Sequence, residues 1–158
     1  MTIAALNWGE LSPEKFLAEY WQKKPLLIKQ AFKNFEDTIP ADELAGLAME
    51  AEIESRIVSV DNKGDWQVDH GPFEDFSQYG EENWTLLVQA VNNWSRPTNS
   101  LLQPFAFIPR WRIDDVMVSF STPNGGVGPH LDQYDVFIIQ GSGKRRWQVG
   151  APDKALST

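Results

Sequence analysis

The stretch that most restricts the fold lies late in the chain. Pro123-Asn124-Gly125-Gly126-Val127-Gly128-Pro129 is followed by His130-Leu131-Asp132 and then by the apolar run Val136-Phe137-Ile138-Ile139. Glycine and proline at this density mark a tight connection, and a short apolar run bounded by turn residues reads as a strand. The pattern predicts a strand from His130 to Gln140, preceded by one from Val116 to Ser121. Gly141-Ser142-Gly143 then turns the chain into another, Lys144 to Val149. From Pro104 onward the texture is strands punctuated by glycine.

The earlier half reads differently. Ser12 can cap a helix whose first position suits Pro13, with Phe16, Leu17, Tyr20 and Trp21 on one face. Lys24-Pro25 is expected to end it, and Leu26-Leu27-Ile28 resembles a short buried strand. Pro40-Ala41-Asp42 opens a second helix carrying Leu44, Leu47 and Ala48. Ile53 to Val60 reads as a strand, turning through Asp61-Asn62-Lys63-Gly64 into Trp66-Gln67-Val68 as a hairpin. Trp84, Leu87, Val88 and Val91 stand at helical spacing, which predicts a third helix from Glu82 to Trp94, stopped by Pro97.

Composition narrows the function classes. An apolar fraction of 42% with seven tryptophans in 158 residues belongs to a folded domain. The net charge of −8 disfavours direct nucleic-acid binding, which needs a basic stripe, and is compatible with a basic protein partner. Without cysteine there is no disulfide, zinc-thiolate site or thiol nucleophile. Met1 to Trp8 lacks a basic leader region, and no run reaches membrane-spanning length, so a cytoplasmic location with no membrane association is expected. Gly143-Lys144 fails as a phosphate loop, because Ile138 stands where a glycine is required and Arg145 where Ser or Thr is.

His130 and Asp132 carry the chemistry. Side chains two apart on a strand share a face. An imidazole and a carboxylate converging this way make two-thirds of the facial 2-His-1-carboxylate set that holds iron(II) with positions left open. The only other histidine is His70, and none follows Asp132. Arg145, on the next strand, can face the same cavity and grip a carboxylate through its guanidinium. Asp115, Met117, Ser119 and Ser121 alternate onto one face, a pattern that suits a polar wall better than a dry core. Each residue also has a plainer reading. His130 can be a structural histidine bonded to a neighbour, Tyr134 an ordinary strand residue, Met117 a core filler and Asp115 a helix or turn cap.

The run Gly126-Val127-Gly128-Pro129-His130-Leu131-Asp132-Gln133-Tyr134-Asp135-Val136-Phe137-Ile138-Ile139-Gln140-Gly141 resembles bacterial ribosomal oxygenases of the JmjC/cupin class. Trp111-Arg112-Ile113-Asp114-Asp115, Arg145-Arg146-Trp147 and the Lys24-Pro25-Leu26 segment fit the same family, so the resemblance covers essentially the whole chain. These enzymes are iron(II)- and 2-oxoglutarate-dependent dioxygenases that hydroxylate an arginine of a large-subunit ribosomal protein. The resemblance implies an α+β fold. Residues 1–103 would form an N-terminal region of helices and short strands, and residues 104–158 the first strands of an incomplete double-stranded β-helix, a jelly-roll of cupin or JmjC type. It implies His130 and Asp132 as iron ligands, Ser119 and Arg145 on 2-oxoglutarate, and Asp115, Met117 and Tyr134 around the substrate arginine. No side chain is assigned a separate catalytic role.

The family also carries a distal histidine, which has no counterpart here. The expectation is therefore a chain truncated before that ligand, inactive by itself, with weak iron binding and uncovered apolar residues such as Phe137 and Ile139. A second copy, as a homodimer, could cover them. Two other readings stay open: a non-catalytic acidic module that binds a basic protein, and a cupin metal enzyme of another type, such as an isomerase.

Overall fold

In the computed structural model, residues 5–150 are described, and they form two compact units. One is built from Thr38–Gln133, the other from Leu6–Asp37 together with residues 134–150. The outer ends of both expected domain spans, residues 1–4 and 151–158, lie outside the described residues. In chain order the elements are helices α1 (Pro13–Glu19) and α2 (Ala41–Leu47), strands β1 (Ser55–Val60), β2 (Trp66–His70) and β3 (Trp84–Val88), helix α3 (Arg96–Ser100) and strand β4 (Val118–Ser121). The α+β class expected from the sequence is borne out.

The first unit is organised by an antiparallel sheet of order β2-β1-β3-β4. The β1–β2 hairpin forms where expected. Asp61 Oδ1 accepts the backbone N–H groups of Lys63 at 2.8 Å and Asp65 at 2.9 Å, while Gly64 takes a left-handed φ of +87°. Register assigns the two faces. Ile57 pairs with Leu86, which pairs with Phe120, and Val88 pairs with Val118. This face meets Leu44 and Ala48 at the α2 end, along with Ile39, Ile53, Phe73 and Val91, to make the core. The opposite face carries rows of paired residues: His70, Arg56, Leu87 and Ser119 in one, Val68, Val58, Thr85 and Ser121 in the next. Thr85 Oγ1 and Ser121 Oγ lie 2.7 Å apart on it.

The expected helix from Glu82 to Trp94 is instead β3 followed by a 3-10 turn, Val91–Asn93. All five residues of β3 are buried, because the strand is central and covered on both faces. A continuous apolar run of this kind satisfies helical spacing and a central strand equally well, and the sheet decides between them. Left-handed residues bracket the strand, Asn83 at φ +68° and Ala90 at φ +52°.

In the second unit, Ser12 Oγ accepts the Lys15 N–H at 3.2 Å and Pro13 opens α1, as expected. The helix ends at Glu19, well before Lys24-Pro25, and Gln22 follows at φ +56°. Buried Phe16 gathers Trp8, Tyr20, Trp21 and Phe137 at ring-centroid distances of 5.5 to 6.5 Å. Three expected strands are corrected here. Leu26–Ile28 makes none, and Leu27 is 79% exposed. Residues 130–140 and 144–149 form no ladder among the described residues. A strand is a paired object, and an apolar run without a hydrogen-bonding neighbour does not become one. Val136 and Ile138 are exposed, and Phe137, expected to be uncovered, is still 39% exposed although it stacks on Trp21 at 5.6 Å.

Candidate metal and cosubstrate site

The connection after β4 is fixed by backbone contacts before it delivers His130. Asn83 N–H donates to the Pro123 carbonyl at 2.8 Å, and Gly125 N–H to that of Thr122 at 3.0 Å. A Cβ at Gly125 would lie 2.1 Å from the Trp84 carbonyl oxygen, so only glycine allows this approach to β3. Further on, Trp66 of β2 lies against the loop. Its indole would meet a Cβ at Gly126 at 3.6 Å and at Gly128, whose φ is +72°, at 3.2 Å.

His130 Nδ1 sits 2.9 Å from the Gly128 carbonyl oxygen. A carbonyl only accepts, so the neutral ring carries its hydrogen on Nδ1 and leaves the Nε2 lone pair free. That nitrogen is 3.7 Å from Asp132 Oδ2, beyond hydrogen-bond reach. The plainer reading, a structural histidine bonded to a neighbour, is met by the Gly128 contact, while Nε2 makes no hydrogen bond to Asp132. Two cis donors each about 2.1 Å from one ion stand roughly 3 Å apart, so a small closure would let this pair share a cation. Backbone orientation of the far ring nitrogen is also the usual arrangement for a metal-bound imidazole. Both side chains are about half exposed, as ligands with open coordination positions would be. No group of three or more His, Cys, Asp or Glu placed to hold a metal occurs among the described residues.

The other expected site residues divide between the units. Ser119 lies in β4 on the face away from the core, paired with Leu87, and Met117 just before it is exposed. Asp115 has the turn-capping role that was its plainer reading: Oδ2 accepts the Ala90 N–H at 3.0 Å and the Gln89 side-chain amide at 2.7 Å. Tyr134 and Arg145 belong to the second unit. Tyr134 is 71% exposed, and the Arg145 guanidinium lies 5.6 Å from the Trp147 ring. Partial burial holds Arg145 below the ordinary guanidinium value, but a group so basic stays cationic. A cavity of about 310 Å³ lined by Ser59, Asn62, Tyr79, Glu81 and Glu82 contains none of these residues. Sequence reasoning missed the Gly128 carbonyl, Trp66 and Gln89. Only Trp66, a large aromatic on an edge strand, left any trace in the sequence.

The chain is similar to known proteins over most of its length. Residues 100–158 match the JmjC domain family. The chain is 61% identical over 145 residues to the ribosomal protein uL16 3-hydroxylase of Escherichia coli, covering 92% of this chain and 37% of that protein. It is 41% identical to a probable ribosomal oxygenase of Haemophilus influenzae, over 89% of this chain and 35% of the relative. Among solved structures, the E. coli ribosomal oxygenase YcfD in complex with cobalt and succinic acid matches with a TM-score of 0.83 at 60% identity, over 88% of this chain and 38% of that one. A second YcfD structure, with cobalt and 2-oxoglutarate, matches at a TM-score of 0.82, also at 60% identity, over 88% of this chain and 37% of that one. The chain thus spans little more than a third of the length of these relatives.

Proposed function

As the chain belongs with the JmjC-type ribosomal oxygenases, we propose that it supplies two iron(II) ligands and part of the cosubstrate and substrate sites of a 2-oxoglutarate-dependent dioxygenase. Its target would be an arginine side chain of a large-subunit ribosomal protein, uL16 by the name of the E. coli relative. The observation that carries the reading is the His130 ring, tied by Nδ1 to Gly128 so that Nε2 faces Asp132. The solved relatives that hold cobalt with succinic acid or 2-oxoglutarate support it.

In this reading the third protein ligand comes from outside the described residues. When bound, the metal would activate dioxygen, with 2-oxoglutarate giving up two electrons as it is oxidised to succinate and carbon dioxide and one oxygen atom going to the substrate. The chain's own residues position the reactants. His130 and Asp132 hold the metal, Arg145 pairs its fixed cation with the far carboxylate of 2-oxoglutarate, and the Ser119 hydroxyl donates to that carboxylate. Asp115 faces the substrate guanidinium, while Met117 and Tyr134 flank its aliphatic stem. Residues 1–103 serve as the N-terminal region and residues from 104 onward begin the β-helix. The protein would work in the cytoplasm, where ribosomal proteins are met, without direct nucleic-acid contact. No helix among the described residues is long and apolar enough to cross a membrane.

The test is turnover by the full-length gene product with 2-oxoglutarate and uL16, read as succinate formed and as mass added to arginine. Asp132→Ala should lower hydroxylation at least a hundredfold, and Arg145→Ala should raise the KM for 2-oxoglutarate with a much smaller change for uL16. The 158-residue chain alone should take up iron(II) weakly in anaerobic calorimetry. Tight stoichiometric uptake by it, or full turnover by Asp132→Ala, would defeat the reading.

A further inference from the structure

The segment that leaves β3 and the one that enters β4 are joined by four hydrogen bonds, two of them on a single carboxylate oxygen. Asp115 Oδ2 accepts the Gln89 side-chain amide at 2.7 Å and the Ala90 N–H at 3.0 Å. Val91 N–H donates to the Val116 carbonyl at 2.9 Å, and Val116 N–H to the Asn92 side-chain oxygen at 2.7 Å. Asn92 is 8% exposed, and Ala90 is held left-handed at φ +52°, so this turn is not free to rearrange around the carboxylate.

Both donors converge on Oδ2, which fills its lone pairs, and no hydrogen bond reaches Oδ1 among the described residues. Rotating the carboxylate would break two bonds to a charged acceptor, one of them short. Because both donors are neutral, the negative charge is not cancelled. It is presented from one oxygen in one direction. The backbone donor alone fixes a point on the carboxylate, and the second donor, Gln89, fixes its plane.

We propose that Gln89 is a positioning residue for substrate: it sets the direction in which Asp115 Oδ1 meets the substrate cation, and so how deep the arginine seats. The inference rests on the functional reading above, in which Asp115 faces the guanidinium. With Oδ2 occupied, Asp115 can offer only one oxygen, so the direction of that oxygen decides the fit.

The experiment uses the full-length gene product with uL16 and 2-oxoglutarate. Gln89→Met keeps the length and volume of the side chain but removes the donor. It should raise the KM for uL16 roughly tenfold, the scale of one hydrogen bond to a charged group, while the KM for 2-oxoglutarate moves less than twofold. Combined with Asp115→Asn, Gln89→Met should add less than a further twofold, because its effect passes through that carboxylate. Gln89→Ala should give the same split, and thermal melting of each variant separates loss of fold from loss of positioning. An unchanged KM for uL16 in Gln89→Met, or effects that multiply in the double variant, overturns the inference while leaving the functional reading in place. Failure of the parent to hydroxylate arginine overturns both.

Discussion

The two units bury their apolar residues by different means. In the sheet unit, Ile57, Leu86 and Val88 are each held by backbone ladders on both sides and by a core on one face. In the second unit no ladder occurs among the described residues, and order comes from an aromatic group around Phe16 plus single long-range bonds. There the Gln22 side-chain amide donates to Asp135 Oδ2 at 3.0 Å, and Ser142 N–H donates to Asp37 Oδ1 at 2.9 Å. Val136, Ile138 and Val149 stay exposed beside them. Apolar content alone therefore does not build a core; backbone pairing is what lets neighbouring side chains share one.

A matched pair of truncations is the most severe way to break this contrast. Leu86 is 2% exposed and Ile138 is 56% exposed. Leu86→Ala removes buried methyl groups and leaves a hole between paired strands, which should cost about 2–5 kcal/mol. Ile138→Ala should change stability by less than about 0.5 kcal/mol. Urea unfolding of the two variants measures both, with amide exchange of β1 and β3 expected to be far slower than that of residues 134–149. Comparable losses at the two positions would mean that the second unit has a core of its own.

A glycine from each unit sharpens the comparison at the level of the site. Gly128 and Gly143 are both left-handed, at φ +72° and +81°. A Cβ at Gly143 meets nothing within 4 Å, whereas one at Gly128 comes within 3.2 Å of the Trp66 indole. Both alanine substitutions should cost about 1 kcal/mol from backbone strain. Only Gly128→Ala should also displace the carbonyl that orients His130, lowering iron(II) affinity of the full-length gene product about 10- to 100-fold. Equal affinities in the two variants, measured by anaerobic calorimetry, would show that the Gly128 contact does not orient the ligand.

What could be read from the sequence follows the same division. Ser12-Pro13 and the Asp61 to Gly64 turn were legible because capping and turn chemistry are local. Trp84 to Val88 was not, since its periodicity fits two structures and the choice rests on β1 and β4, both remote in sequence. Residues 130–140 carry a strand's composition but find no ladder partner among the described residues. Within the site, His130 and Asp132 were legible as a pair because their chemistry is in the side chains. The Gly128 carbonyl has no residue-type signature, and Gln89 gains its meaning only from a bond across to Asp115.

The smallest expected effect concerns a proton in the sheet unit. Tyr79 packs against the core, and its hydroxyl donates to Asp69 Oδ2 at 3.0 Å. Burial, then the hydrogen bond and charge of Asp69, push its pKa up from 10.0 to about 12. The fold thus favours the neutral phenol. Its contribution to stability is complete below pH 10, where the unfolded chain is also protonated, and declines as pH rises through 12. Because the group is partly exposed, solvent screening keeps the change small. Tyrosinate absorbance should show a Tyr79 component near pH 12, and Tyr79→Phe should remove it while flattening the alkaline loss of stability. Titration of Tyr79 already near pH 10 would mean that the Asp69 contact does not hold the phenol neutral in solution.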